Sequence, residues 1–495
     1  MKRLLIITLF LLSVFESFSQ ELAAEIKLSL EKDRKVFQIV DEVKKEVSFF
    51  ISDKKNITAI KFNSEFKAID SLKTERPDAK FESIIGYSMS DTKYIVYWTS
   101  AQNKEINLQE FDFNQHKIEN STYKLELKKE TVLQVLSVNN NFYIISVVKN
   151  SDILKLYVFD KNGNLDIKTI DTSPYPLVDL YGKKANLYEV FEEDFLPYET
   201  GFSLKAITAE TPTSLTFAAF KRKIYAYHNE LILSFDNNIK FTQLYKINLT
   251  DFSISQAIIK QPTNGFISVK DVYNASNTED VLPDINSNSF IVNNKIFQIR
   301  LSADLVIISI KNLDGTEIKS YTARYNEPIN FKNTDIIQEN KSIKNTRVLE
   351  TSNQFIRKLY LSNPAISCFE KQGQYYATIG SASQLVDNNA ALFAIGGLYG
   401  GVAGVLLVNL LTYNPNLENF NSYKNRKVIY INSLFDTSLN HVEGNIKPLA
   451  FDELRKFAFS KNKDSDFTVF KFDNFLYLGS YNVNSKIYTF NKFLE

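Results

Sequence analysis

One unit recurs along this chain and restricts its folds more than any other feature. It is an alternating apolar strand, a polar turn opened by Asp or Asn, and a second strand of the same period. Copies run Ile60 to Phe66, Phe111 to Ile118, Leu156 to Leu165 and Ile308 to Thr316, with weaker ones at Leu244 to Ile254 and Tyr430 to Asp436. Such alternation, punctuated by Asn, Asp and Gly, marks half-buried strands joined by tight turns. Asn162-Gly163 and Asp314-Gly315 read as hairpin turns, where positive φ is needed. With Phe62, Phe113 and Phe159 as markers, the first three copies lie 51 and 46 residues apart. A period of roughly 40–50 residues, holding about four strands, predicts a β-propeller. A lone four-stranded blade cannot bury both faces, whereas radial packing buries them and leaves only short edges. Later spacings are irregular, as between Leu249 and Leu313, which insertions or degenerate blades would explain. The expectation is an all-β chain: a single propeller-like domain over residues 20–495, of roughly six or seven blades, with a few short helices.

Four stretches depart from this pattern. Glu21 to Glu46 mixes helical and strand spacing and receives no assignment. Thr346 to Leu361 has helical spacing and stops before Asn363-Pro364, and Phe451 to Phe459 reads as a second short helix. The fourth is an apolar, glycine-rich insertion, 387–418, with no charged residue between Asp387 and Glu418. As a helix, Ala390 to Leu411 would run about 33 Å, long enough to cross a hydrocarbon core. Gly396, Gly400 and Gly404, with Gly397 and Gly401 alongside, would leave bare backbone on one helix face. Each glycine would cost that helix about 1 kcal/mol relative to Ala in water. Something other than propensity must therefore hold it.

Three readings of the segment stand open: a buried element packed on the propeller, an apolar insertion that docks on a membrane or partner, and a transmembrane helix. Lys424, Arg426 and Lys427 suit the third by the positive-inside rule, while strand-like sequence resuming at Val428 argues against it. The residues expected to make membrane or partner contact are Leu392, Phe393, Ile395, Gly396, Gly400, Gly404, Leu406 and Leu407.

The N-terminus predicts export. Lys2 and Arg3 precede an apolar run from Leu4 to Val14, and Ser17 and Ser19 supply the small side chains for cleavage before Gln20 or Glu21. Residues 1–19 are thus read as a signal peptide, and the chain as periplasmic, envelope-associated or secreted. Cys368 is the single cysteine, so an exported chain has no internal disulfide available. Packing must supply the stability instead, and 39 Phe and 26 Tyr are on hand for it.

Lys and Arg number 58 against 57 Asp and Glu, a balance that steers the chain to no nucleic acid. No cofactor is implied. His116, His228 and His441 are far apart and read as surface side chains beside turns or strands, with no metal cluster. There is no Gly-x-Ser-x-Gly elbow, phosphate loop or dinucleotide fingerprint. Glu192, Glu193 and Asp194 form an acidic run in the connection from Asp171 to Thr213, which reads as a solvated surface. Trp98, in a strand, and Cys368 read as core.

The signal peptide, the Asp/Asn-turn repeats and a Lys-, Asn-, Ile-, Phe- and Tyr-rich composition together resemble exported, uncharacterised β-propeller-like proteins of the Bacteroidetes. The resemblance is one of layout and transfers no activity or site residue. The expected role is a non-enzymatic envelope protein, its propeller an interaction platform, with 390–411 packing, docking on a membrane surface or meeting a protein partner. The alternative is a propeller-type glycan hydrolase or carbohydrate-binding protein, with paired carboxylates at one mouth of the channel. Oligomeric state stays open.

Overall fold

The computed structural model describes residues 20–100, 105–195, 199–263, 286–383, 414–424, 426–461 and 464–495. They fall into two compact units: the chain up to Arg76 together with Lys447–Glu495, and Pro77–Ile446.

In the smaller unit, β2 (Lys35–Asp41), β3 (Glu46–Ser52), β4 (Asn56–Phe62) and β5 (Ala68–Glu75) form an antiparallel sheet in chain order. The second sheet runs β30 (Asp464–Phe472), β31 (Phe475–Asn482), β32 (Ile487–Leu494) and then β1 (Gln20–Lys27). An early strand thus completes the sheet of the last three. The stretch from Glu21 to Glu46, left unassigned above, is largely β1 and β2. Aromatic rings fill the space between the two sheets: Phe49 lies 4.8 Å from Tyr488 and 4.9 Å from Phe490, centroid to centroid.

The larger unit begins with two sheets in chain order. They are β6 (Phe81–Met89), β7 (Lys93–Ser100), β8 (Glu105–Asp112), β9 (Lys117–Lys124), and β10 (Glu130–Val138), β11 (Asn141–Val148), β12 (Ile153–Phe159), β13 (Leu165–Asp171). A connection follows with the short pair β14 (Leu177–Val178) and β15 (Lys184–Ala185) and helix α1 (Leu187–Glu192). The third sheet is β16 (Lys205–Ile207), β17 (Arg222–Tyr227), β18 (Glu230–Phe235), β19 (Phe241–Asn248) and β20 (Ile254–Lys260), with helix α2 (Leu215–Ala218) between its first two strands. The fourth is β21 (Asn286–Val292), β22 (Lys295–Leu301), β23 (Leu305–Asn312) and β24 (Glu317–Arg324).

The fifth sheet breaks chain order. Its strands run β27 (Asn363–Lys371), β28 (Gln374–Ser383), β29 (Lys427–Phe435), then β25 (Ile336–Asn340) and β26 (Ser342–Leu349). Its outer hairpin therefore precedes its inner strands in sequence. Helix α3 (Ser352–Tyr360) joins the two parts, capped by Thr351 through Gln354 N at 3.3 Å. The helical reading that began at Thr346 starts too early, because Val348 belongs to β26 and is solvent-exposed there. Its end, ahead of Asn363, holds.

Apolar cores lie between successive sheets of this unit. Ile95, Tyr97 and Leu108 of the first sheet meet Phe142 and Phe159 of the second, and Leu154 and Leu156 share a core with Leu231 and Leu233 of the third. Central strands are buried along most of their length, while β9 is exposed at most positions. Among the described residues, seven sheets have four or five strands and the five helices are short. Four- and five-stranded sheets of this kind, antiparallel except where β16 runs beside β17, make the fold an all-β one of the propeller class.

The recurrent sequence unit occupies the same place in most sheets, the turn leaving the third strand of a four-stranded run. Asn63 Oδ1 accepts from Glu65 N and Lys67 N (3.1 and 2.9 Å), and Asp160 Oδ1 accepts from Asn162 N and Asn164 N (both 2.8 Å). Three residues after Asn63, Asp160, Asn312 and Asp436 the backbone turns left-handed, at Phe66, Gly163, Gly315 and Leu439. Glycine takes that conformation without penalty. Phe66 and Leu439 are held in it by burial: Phe66 stacks on Phe62 at 4.6 Å and on Tyr477 at 4.5 Å, and Leu439 is fully enclosed.

Candidate functional site

The expected contact residues Leu392, Phe393, Ile395, Gly396, Gly400, Gly404, Leu406 and Leu407 lie outside the described residues. What the structure gives is the pair of strands they join. β28 and β29 are antiparallel neighbours, with Ser383 opposite Lys427, Ala382 opposite Val428 and Tyr375 opposite Phe435. A single membrane crossing between them would put two strands of one hydrogen-bonded ladder on opposite sides of a bilayer. Among the described residues, no helix is long and apolar enough to cross a membrane.

The returning chain is fixed at once. Asn414 caps helix α4 (Pro415–Ser422), its Oδ1 accepting from Leu417 N at 3.0 Å, and Pro415 takes the first turn, where its missing N–H costs nothing. One face of α4 is polar yet buried. Asn416 Oδ1 accepts from Thr208 Oγ1 (3.2 Å) and Thr211 Oγ1 (3.1 Å). Asn419 Nδ2 donates to Thr211 Oγ1 (2.9 Å) and to the carbonyl of Pro212 (2.7 Å), while its Oδ1 accepts from Ser214 N (3.1 Å). Ser422 and Ser214 hydroxyls lie 2.6 Å apart. Amide side chains offer both donors and acceptors, so they satisfy the irregular backbone of residues 208–214 where an apolar helix face would strand it.

Behind α4, Arg426 makes a two-pronged ion pair with Glu339 of β25, both bonds 2.7 Å, and Tyr430 OH donates to the same carboxylate at 2.8 Å. Burial opposes the guanidinium's charge, but the Glu339 carboxylate outweighs it and raises the Arg426 pKa. Arg426, one of the three cations that suited a positive-inside reading, is thus engaged within the sheet.

A second polar cluster, which the sequence did not flag, fills the start of β17. Lys221, Arg222 and Lys223 are consecutive cations, and all three are buried. Arg222 Nε donates to Glu199 at 3.2 Å, and its terminal nitrogens donate to carbonyls of α1 and of Thr200. Lys223 Nζ lies 3.0 Å from Asp236 Oδ2 and 2.8 Å from Asn288 Oδ1. Lys221 Nζ donates to Asn286 Oδ1 at 3.1 Å and to the Ser287 carbonyl. Burial, reinforced by the neighbouring Lys223 charge, pushes the Lys221 pKa down to about 8. The available signal was alternation: 221 and 223 share one strand face, ahead of an apolar strand.

The remaining candidates resolve into structure. Glu193 Oε2 accepts from Asn237 Nδ2 at 2.8 Å, burial raising its pKa, and Asp194 Oδ1 accepts from Gly201 N at 2.5 Å. That part of the acidic run is tied into the fold. His116 and His228 sit at left-handed turn positions, and His441 Nε2 lies 3.0 Å from Asn333 Oδ1, with its pKa lowered by burial. Trp98 and Cys368 are buried, and burial pushes the Cys368 thiol pKa up. Among the described residues no three His, Cys, Asp or Glu side chains are grouped to hold a metal ion.

No family model matches the chain, and no curated protein matches it. Solved structures do. A candidate exported protein of Bacteroides fragilis is 10% identical, with 84% of this chain and 96% of that chain covered and a TM-score of 0.27. The β-propeller domain of Vanderwaltozyma polyspora Nup133 is 9% identical over 96% of this chain and 97% of that one, with a TM-score of 0.32. The match to a prolyl endopeptidase, 8% identical with a TM-score of 0.30, covers 70% of this chain but only 40% of that enzyme, and those to Synechocystis apocarotenoid oxygenase cover about six-tenths of it. Likeness this distant assigns no activity; the propeller class rests on the strand pairing itself.

Proposed function

We propose that this chain is a non-enzymatic protein exported to the cell envelope, its propeller an interaction platform, and that the apolar insertion docks on a membrane surface or a protein partner. The observation that carries the reading is the direct pairing of β28 with β29. β28 and β29 pair directly across the gap, so joining them does not call for the apolar side chains of 390–411, which would serve something beyond this ladder. Leu392, Phe393, Ile395, Leu406 and Leu407 would supply the buried area, and Gly396, Gly400 and Gly404 the close backbone approach. Export follows from Lys2, Arg3, the apolar run and the Ser17 and Ser19 cleavage site.

The test replaces residues 387–411 by a short Gly-Ser linker in the full chain. Retained far-UV β signal and thermal transition, with loss of sedimentation alongside envelope membranes, is the expected result. Loss of folding would show that the segment is core, and unchanged sedimentation would show that it is not the docking element.

A further inference from the structure

The buried lysine of β17 stands in an arrangement that goes beyond an ion pair. Lys223, Asp236 and Asn288 are all enclosed, with Lys223 and Asn288 wholly inaccessible to solvent. They come from three strand regions: Lys223 in β17, Asp236 just after β18, and Asn288 in β21 of the next sheet. Lys223 Nζ is 2.8 Å from the Asn288 side-chain oxygen and 3.0 Å from Asp236 Oδ2, and it also donates to the Phe220 carbonyl. Asn288 Nδ2 donates to the carbonyls of Ala219 (2.8 Å) and Pro364 (3.1 Å), which fixes the amide with its oxygen toward the lysine. The same oxygen accepts from Ser289 N at 2.8 Å. Asp236 is held by Thr242 Oγ1 at 2.7 Å and Ser289 Oγ at 2.8 Å.

We propose that Lys223 and Asn288 form an intramolecular amide cross-link, with Asp236 relaying the proton. Asp236 takes a proton from the ammonium, freeing the Nζ lone pair. Nζ attacks Cγ of Asn288, and the Nζ–Cγ bond forms while negative charge on Oδ1 is met by the Ser289 N–H. Nδ2 then takes up the relayed proton, the Cγ–Nδ2 bond breaks, and ammonia leaves as ammonium with the second proton that Nζ gives up, Asp236 ending as the carboxylate. The sum is one ammonium side chain and one carboxamide converted to a secondary amide and one ammonium ion, with Asp236 regenerated. No oxidant or cofactor is needed. Fixing amine and amide at contact distance in a dry site supplies the proximity and desolvation that this slow condensation lacks in water. The product replaces a buried ammonium, which is costly to bury, with a neutral amide. It also gives a chain with one cysteine a covalent staple between adjacent sheets. In the Lys221–Asn286 pair one rung away, Lys221 Nζ donates to Asn286 Oδ1 and the Ser287 carbonyl, and the nearby Glu199 carboxylate is taken up by the Lys221 and Arg222 backbone N–H groups, so no carboxylate stands at that amine to relay a proton.

The test is peptide mapping of the full-length exported protein by tandem mass spectrometry, because cyclisation of a terminal Gln20 would also release one ammonia and confuse the intact mass. The expected product is a branched peptide joining Lys223 to Asn288, lighter than its parts by one ammonia, with no tryptic cleavage after Lys223. It should disappear in Lys223→Arg, and folded Asp236→Ala should yield unlinked peptides. Recovery of Lys223 and Asn288 in separate linear peptides of full mass from the folded native protein would overturn the proposal.

Discussion

Removing one partner of the Glu339–Arg426 pair should cost far more than removing both. The two side chains are 3% and 7% exposed and share two bonds of 2.7 Å. Unit charges about 4 Å apart attract by roughly 4 kcal/mol at an effective dielectric near 20. Glu339→Leu leaves Arg426 buried without its carboxylate, between the rings of Tyr423 and Tyr430, and an orphaned buried charge costs about 3–5 kcal/mol. The same change deprives Tyr430 OH of its acceptor, adding about 1 kcal/mol. Arg426→Met strands the carboxylate and should cost a similar amount. In the double variant both charges are gone and apolar volume remains, so the loss should shrink to about 1–2 kcal/mol. The coupling energy should then exceed about 3 kcal/mol. Urea titration of the full chain measures it, provided that far-UV and fluorescence transitions coincide. Single-variant losses below about 1 kcal/mol would mean that water reaches the pair as it reaches a surface salt bridge, and the picture of a dry clamp would be wrong.

A methyl group at Gly380 should be intolerable. Its Cβ would sit 1.9 Å from the Ile429 carbonyl oxygen and 2.8 Å from Tyr430 Cα, both backbone of the neighbouring strand, so Gly380→Ala should lose more than about 3 kcal/mol or fail to give soluble protein. A normal thermal transition for that variant would refute the close approach of β28 to β29. Lys221 predicts a pH dependence of definite sign. Its folded pKa of about 8 lies below the unfolded value, so between about pH 8 and 10.4 the unfolded chain binds the extra proton and stability should rise with pH. Set against Lys221→Met, the native chain should gain on the order of 3 kcal/mol across that window, and a flat difference curve would show that Lys221 is hydrated.

The propeller class was legible because its signal is local and repeated. Asn63, Asp160 and Asp436 each accept from backbone amides two to four residues ahead, so one residue type at one spacing marks a turn wherever it occurs. Leu439 shows why the copy at Tyr430 to Asp436 looked weak: tertiary burial there holds a left-handed residue that sequence rules reserve for Gly or Asn. The outer hairpin of the fifth sheet was hidden for a different reason. β25 and β26 precede their sheet partners, and pairing Glu339 with Val428 depends on a contact some ninety residues away along the chain, which no local period encodes. The Lys221 to Lys223 cluster was hidden because three adjacent cations look solvated until Glu199, Asp236, Asn286 and Asn288 are brought to them by three separate strand regions. Burial of a charged run is a tertiary fact.

The pairing in the fifth sheet also limits what can cover the apolar segment. β28 is bonded along one edge to β27 and along the other to β29, and β29 is bonded to β28 and to β25. Neither strand that flanks the segment has a free ladder edge, so this sheet has no open position beside β28 or β29. Burying apolar surface yields about 25 cal/mol per Å², so moving some 400 Å² out of water would be worth about 10 kcal/mol, enough to offset the five glycines of residues 396–404 at about 1 kcal/mol each. A membrane interface or an apolar partner offers that area, whereas water does not. The deletion variant therefore separates the cases by where the lost energy is felt: in attachment if the cover lies outside the molecule, in the unfolding transition if the molecule covers the segment itself.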